Sequence, residues 1–257
     1  SILLSLVMLL SLLPTTVLAA TYPDSVELCN ENKRLISLSG GQCLTANDAT
    51  SASSYTGGAY VARYDKSSGK LYLKGYKGVA ADEKIFADGD LNIVVESNSS
   101  FTTSVATSGD LYGIKAGGKL NISGSGKLTV TANSSGNVYG IYAKEGVTIS
   151  APLDVTVGKN DTTENGSVYG IYTQSGAISL SGADKTITAT GGKDPAYGVY
   201  NEAKTSSSAA GSSITISGKL TVKLNNGEST NFGIYTGSGS TITLDDATLS
   251  IPSGFDY

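Results

Sequence analysis

Apolar and polar residues alternate along most of this chain in short runs. Segments such as Leu128-Thr129-Val130 and Val147-Thr148-Ile149 place every second side chain on the same face. That period is typical of a β-strand with one buried side. No run after residue 25 shows the i, i+3, i+4 spacing of an amphipathic helix. The pattern therefore predicts an all-β protein.

A four-residue phrase recurs five times in the second half of the chain, with first residues 27, 30, 28 and 35 positions apart. This period is too short for a domain and fits one coil of a solenoid. Two further alternating runs follow most copies, so the sequence predicts a parallel β-helix with three strands per coil of about 28 residues. The copies are Tyr112–Lys115, Tyr139–Tyr142, Tyr169–Tyr172, Tyr197–Tyr200 and Phe232–Tyr235.

Strict alternation assigns the first and last residues of the phrase to opposite faces of its strand. Tyr139 then shares the buried face with Ile141, and Tyr142 lies outside, where the first copy has Lys115. We therefore expect an aliphatic row inside, an aromatic stack inside and a ladder outside with a rise of about 4.8 Å per coil. The expected aliphatic row is Ile114, Ile141, Ile171, Val199 and Ile234. The expected internal stack is Tyr112, Tyr139, Tyr169, Tyr197 and Phe232, and the external ladder is Lys115, Tyr142, Tyr172, Tyr200 and Tyr235.

The first twenty residues differ in character from the repeats. An apolar run over 2–13 precedes Pro14 and the small residues Ala19 and Ala20. This arrangement is typical of a secretory signal and is too short for a membrane span. We interpret 1–20 as a signal peptide without its basic start, 21–84 as an N-terminal β segment, and 85–257 as coils, expected to be truncated at the C-terminus. We therefore expect a secreted or cell-surface bacterial protein that is not inserted in a membrane once the signal peptide has been removed.

Charge and composition narrow the chemistry. The net charge is −4 and the chain has only two arginines, Arg34 and Arg63, which argues against nucleic-acid partners and anionic membranes. The chain has no histidine and two cysteines, so neither a metal site nor a cofactor is predicted. In an exported protein the isolated pair Cys29 and Cys43 predicts a disulfide; the alternative is two separate buried thiols.

Catalysis on a polysaccharide would need particular acidic residues. A hydrolase uses a carboxylate pair at a fixed separation, and a lyase needs a base, usually with Ca²⁺. Asp245 and Asp246 are the only adjacent acidic residues of the coils, and they follow a strand that ends at Leu244. Neighbouring residues of a strand point to opposite faces, so a corner turn is the better interpretation of this pair. We predict that the chain is not an enzyme.

Four stretches together resemble a known group of proteins. They are SLSGGQCLTAN (37–47), YDKSSGKLYLKGY (64–76), IFADGDLNIVVE (85–96) and GIKAGGKLNISGSGKLTV (113–130). They are similar to secreted, adhesin-like repeat proteins of gut bacteria, often labelled carbohydrate-binding domain-containing. The resemblance covers roughly 35–251 and implies a right-handed, pectate-lyase-like β-helix behind a small β segment. It carries no binding residue across, because function resides in sites rather than in folds.

Three functions are compatible with these features. The first is a non-catalytic secreted or cell-surface protein, adhesin-like or a stalk. The second is a polysaccharide-binding module, in which sugar rings stack on the exposed aromatic side chains. A β-helical lyase or hydrolase is a distant third. Expected partners are glycans or a receptor on a host or bacterial surface, and the candidate binding residues are Tyr142, Tyr172, Tyr200 and Tyr235.

Overall fold

A computed structural model describes residues 22–80, 85–105, 109–160, 163, 165–202, 212–225 and 230–250. This part of the chain contains strands and loops and no helix. Its coils stack in parallel as a right-handed β-solenoid of about 5 turns, which confirms the predicted fold class. The signal peptide predicted over 1–20 lies outside the described residues.

The N-terminal segment is built of short strands that pair mainly antiparallel. These strands are β1 (Ser25–Cys29), β2 (Leu35–Ser39), β3 (Gln42–Leu44), β4 (Ser53–Ser54), β5 (Ala62–Asp65), β6 (Lys70–Lys74) and β7 (Lys77–Ala80). Strand β1 pairs with β2, and β3 lies between β4 and β5, which in turn pairs with β6. Two buried tyrosines anchor the segment through their hydroxyls: Tyr64 donates to the carbonyl of Pro23 (2.6 Å) and Tyr76 to that of Cys29 (2.5 Å).

The coils follow. Their strands are β8 (Ile85–Ala87), β9 (Leu91–Ser97), β10 (Ser99–Val105), β11 (Leu111–Ala116), β12 (Leu120–Ser123), β13 (Leu128–Ser134), β14 (Val138–Ala143), β15 (Val147–Ile149), β16 (Leu153–Lys159), β17 (Val168–Thr173), β18 (Ile178–Leu180), β19 (Lys185–Thr190), β20 (Ala196–Asn201), β21 (Ser213–Asn225), β22 (Phe232–Thr236) and β23 (Thr241–Ser250). Each strand pairs in parallel with the strand one coil away, as β11 does with β14 and β14 with β17.

These pairings give the solenoid three sides. The first side is the sheet β8-β11-β14-β17-β20-β22, extended by β1 and β2. The second side runs through β9, β12, β15, β18 and the first half of β21; the third runs through β10, β13, β16, β19 and the second half. Strands β6 and β7 already pair in parallel with β9 and β10, so coil-type pairing begins before residue 85.

The core lies between the three sides and is filled by aliphatic rows that continue from coil to coil. Ile114, Ile141, Ile171 and Val199 are each 0% exposed, as the sequence predicts. Ile234 continues the row next to Val199 and is only partly buried against the core. Repetition of the same residue at the same place in each coil therefore fixes both the register and the interior.

Candidate functional site

The outer surface of the first side carries the candidate tyrosines, and a glycine in each strand decides how they are arranged. A side-chain carbon on Gly140 would lie 2.5 Å from Val155 Cγ1 and 2.7 Å from the carbonyl oxygen of Gly170, so Gly140 faces the packed interior. Ile141, the next residue, is also fully buried. Two successive inward residues break the alternation, and both Tyr139 and Tyr142 are left on the outside, half-buried.

The prediction of an internal aromatic stack was therefore wrong. It relied on strict alternation, which the two successive inward residues Gly140 and Ile141 interrupt. The residues expected inside lie on the outer surface, half-buried, beside the external ladder: Tyr112, Tyr139, Tyr169, Tyr197 and Phe232. The ladder Lys115, Tyr142, Tyr172, Tyr200 and Tyr235 lies on the outer side of these strands, as expected, but Tyr172 is buried there among its neighbours and is only 9% exposed. We call the first set the Tyr112 column, the second the Tyr142 column, and the two together the aromatic face.

Rings stack face to face along each column. In the Tyr112 column the centroid of Tyr139 lies 4.9 Å from that of Tyr169, with 7° between the planes. In the Tyr142 column Tyr172 lies 5.3 Å from Tyr200, with 2° between the planes. Lys115 begins this column, and its ammonium lies 4.1 Å from the centroid of Tyr112, a cation–π contact.

The two columns also interlock. Tyr172 meets Tyr139 and Tyr169 edge to face at 5.2 Å in both cases, with interplanar angles of 79° and 73°. Tyr200 meets Tyr197 in the same way at 4.8 Å. Each ring inside the face therefore contacts stacked neighbours above and below and perpendicular neighbours at its side, a geometry that aromatic rings favour.

This packing changes what the candidate residues can bind. A ring inserted between two others needs about 7 Å, two van der Waals contacts of about 3.5 Å each. The spacings of 5.3 Å from Tyr142 to Tyr172 and 4.9 Å from Tyr200 to Tyr235 leave no such gap. Inside the columns the flat faces of the rings are covered by other rings, so ring edges and phenolic hydroxyls are what they offer to a partner.

Several of these hydroxyls are held by polar residues at the ends of the strands. The hydroxyl of Tyr172 donates to Glu202 Oε2 at 2.6 Å, and that of Tyr142 to Gln174 Oε1 at 3.3 Å. Burial is the main reason why the pKa of Tyr172 lies well above its ordinary value, and the Glu202 carboxylate raises this pKa further. Burial likewise raises the pKa of Tyr200 to about 12. Tyr172 and Tyr200 therefore carry neutral phenols at physiological pH.

The predicted disulfide is not formed in the structure. Cys29 lies in β1 of the first sheet, whereas Cys43 lies in β3, opposite Arg63 in the second. Both side chains are buried thiols, and no bond joins them. Burial raises the pKa of the Cys43 thiol, and Arg63 opposes that shift. The sequence could not separate the two cysteines, because it does not show that neighbouring N-terminal strands belong to different sheets.

Acidic residues of the coils hold the coils together. Asp110 accepts hydrogen bonds from Tyr112 (3.2 Å) and from the amide of Asn137 one coil away (2.8 Å). Asp154 pairs with Lys127 at 2.8 Å, again across one coil. Asp245 and Asp246 are exposed, and Asp246 has a φ of 50° where β23 shifts register against β21. The strand expected to end at Leu244 continues as β23 through both residues, and the pair lies at this irregularity within the strand rather than beyond its end.

The part of the chain that the structure describes holds no group of three or more His, Cys, Asp or Glu residues that could bind a metal ion. In the same part, no helix is long and apolar enough to cross a membrane. Comparisons of the chain with protein-family models, with curated proteins and with solved structures gave no match.

Proposed function

We propose that this chain is a non-catalytic, secreted or cell-surface repeat protein that acts as a rod, adhesin-like or as a stalk. The observation that carries the proposal is the continuity of packing along the solenoid axis. The aliphatic row inside and both aromatic columns outside pass through successive coils without a break. The first side is packed by aliphatic residues on its inner surface and by aromatic rings on its outer surface, as expected for a stiff structural element.

Nearest-neighbour packing supports this role energetically. Stability in a solenoid is approximately a sum over coils and their interfaces. Each aromatic pair contributes about 0.5–1.5 kcal/mol beyond the area that it buries. Every added coil of this type adds stacked and edge-to-face pairs, so length is gained without loss of stability.

Export is part of the proposal and comes from the apolar stretch at 2–13 with the small residues Ala19 and Ala20 behind it. The resemblance to adhesin-like secreted proteins supports the same location. A polysaccharide-binding role of Tyr142, Tyr172, Tyr200 and Tyr235 is the alternative, and it would have to use ring edges and hydroxyls rather than ring faces. Lyase or hydrolase activity has the least support, because the coil carboxylates described above serve as ties between coils or lie at the irregularity within β23.

Removal of a whole coil tests the proposal. Val138 and Val168 occupy equivalent positions in β14 and β17, so deletion of residues 138–167 joins two equivalent corners. We expect the shortened chain to fold, and small-angle scattering to show a rod that is shorter by about 4.8 Å. Release of reducing ends or unsaturated sugars from polysaccharides by the parent chain would contradict a non-catalytic role.

A further inference from the structure

A groove runs along the solenoid where the first side turns into the second. It has a volume of about 520 Å³. Its residues come from four successive coils: Asp90 and Asn92, then Lys119 and Asn121, then Glu145 to Thr148, then Gly176 and Ala177. Three steps of about 4.8 Å make it about 14 Å long. It therefore lies along the axis, parallel to the direction in which the coils stack.

Close approach of neighbouring backbones forms the floor of the groove. A side-chain carbon on Gly176 would collide with the carbonyl oxygen of Glu145, and one on Gly146 would lie 3.0 Å from the carbonyl oxygen of Ala177, so both positions bring adjacent coils together. The N-terminal end is bounded by Tyr22, whose ring packs against Gly69. The groove is thus a shallow channel over small residues with one aromatic ring at its end.

Its polar groups are amides and hydroxyls rather than a cluster of one charge. Asn121 and Thr148 are exposed at equivalent positions of neighbouring strands, and Asn92 precedes them in the same row. Asp90 and Glu145 oppose a single cation, Lys119. Two carboxylates against one ammonium disfavour polyanions, both nucleic acids and acidic glycans.

Peptides are disfavoured for a different reason. A peptide that binds along a sheet adds a strand through free backbone groups. Here the backbone is already paired between coils: Leu120 N–H donates to the Gly146 carbonyl at 2.9 Å, and Val147 N–H to the Ala177 carbonyl at 2.9 Å. What the groove offers is side-chain amides, a hydroxyl and an aromatic ring.

We propose that this groove binds a neutral oligosaccharide lying along the solenoid axis. Sugar hydroxyls donate and accept hydrogen bonds, as do the Asn121 amide and the Thr148 hydroxyl. The Asn92 amide nitrogen donates to the carbonyl of Ser68 at 3.2 Å, so Asn92 contributes mainly its amide oxygen. The Tyr22 ring supplies an apolar surface for the terminal sugar ring. The inference goes beyond the rod function, because a rod needs no groove, and it differs from binding at the Tyr142 column.

The test compares the same substitution at two equivalent positions on the second side, Thr148 and Thr215. Thr148→Trp fills the groove, whereas Thr215→Trp places the same ring two coils further along, outside it. Isothermal titration calorimetry of the full chain would use hexasaccharides of β-1,4-glucan, β-1,4-xylan, β-1,4-mannan and α-1,4-glucan. An oligogalacturonide and a chitosan oligomer serve as acidic and basic probes. Circular dichroism verifies that each variant is folded.

We expect at least one neutral hexasaccharide to bind, Thr148→Trp to weaken it by about tenfold or more, about 1.4 kcal/mol, and Thr215→Trp to leave it unchanged. Asn121→Ala, which removes an exposed amide without added bulk, should also weaken binding and covers the case in which Thr148→Trp does not fold. The proposal is overturned if no neutral probe binds, or if only the charged probes do. It is equally overturned if binding is lost in Tyr200→Ser but kept in Thr148→Trp, which would place the site on the aromatic face.

Discussion

The aromatic face and the groove lie on the same solenoid, but the aromatic face is closely packed whereas the groove is open to solvent. On the aromatic face, large residues repeat at the same two positions of every strand, and each ring fills the space above its neighbour, as Tyr172 does over Tyr142 at 5.3 Å. Along the groove, the equivalent positions of successive coils change from Asp90 and Lys119 to Gly146 and Ala177.

The comparison shows when an outward-facing residue that is repeated in every coil stabilises the solenoid by packing against its own copies. Identical residues one coil apart stand about 4.8 Å from each other, close enough for aromatic rings to bury each other's faces. Rings in such a ladder stabilise the solenoid and cover the surfaces that a sugar would use. Variation between coils, with glycine among the residues, leaves room for a ligand instead.

The largest expected effect lies under the aromatic face. Ile171→Asp places a carboxylate in a fully buried aliphatic row and should cost about 4 kcal/mol or more, because no partner is available for the charge. Urea unfolding followed by circular dichroism measures the loss. Thr156→Asp introduces the same charge at an exposed position of the third side and should change stability by about 0.5 kcal/mol at most. Equal losses in the two variants would contradict the assignment of inside and outside.

The sequence predicted the coils well and the aromatic face only in part. The period of the phrase and the alternating runs were enough for three parallel strands per coil, and for the buried row of Ile114, Ile141, Ile171 and Val199. The assumption that every second side chain points inward placed Tyr139 inside, because that assumption holds only for a regular strand. The glycine between the aromatic and the aliphatic residue in every copy was the signal that the alternation of inward and outward residues could break there.

The groove and the cysteines could not be predicted for another reason. The groove joins Tyr22 to residues more than one hundred positions away, and its shape depends on which corner of each coil adjoins which. Cys29 and Cys43 are close in sequence, yet their strands belong to different sheets. Periodicity reports the contacts between equivalent positions of successive coils and says little about the contacts of the irregular N-terminal segment.

A smaller effect is expected on the aromatic face itself. Tyr172→Ala removes two stacked and two edge-to-face contacts and should cost about 2–4 kcal/mol, near the range for core aromatic residues although the ring is on the outer surface. Tyr172→Phe keeps the ring, loses only the hydrogen bond to Glu202, and should cost about 1 kcal/mol. Urea midpoints of the two variants measure the difference. If alanine costs no more than phenylalanine, the stacking contributes nothing.

Alkaline pH should loosen the same face. Burial raises the pKa of Tyr200 to about 12, against about 10 in an unfolded chain. The folded chain thus holds the phenolic proton more tightly, so its contribution to stability is complete below about pH 10 and is lost as the pH rises toward 12. Tyrosinate absorbance should titrate later in the folded chain than in urea, and the urea midpoint should fall over that window. Coincident titration curves would show that the rings are not buried.

The smallest expected effect on stability belongs to the groove. Asn121 is exposed, and on its strand the buried neighbours Leu120 and Ile122 provide the packing. Asn121→Ala should therefore change the free energy of unfolding by about 0.5 kcal/mol at most, although the same variant is expected to weaken binding of a neutral oligosaccharide. Thermal unfolding with and without the hexasaccharide that binds best separates the two effects, since a ligand that binds only the folded state raises the midpoint. The parent chain should show that rise, and Asn121→Ala should show the parent's midpoint without ligand and a smaller rise with it. If the variant melts well below the parent in the absence of sugar, Asn121 serves packing, and the contrast between a packed face and an open groove does not hold.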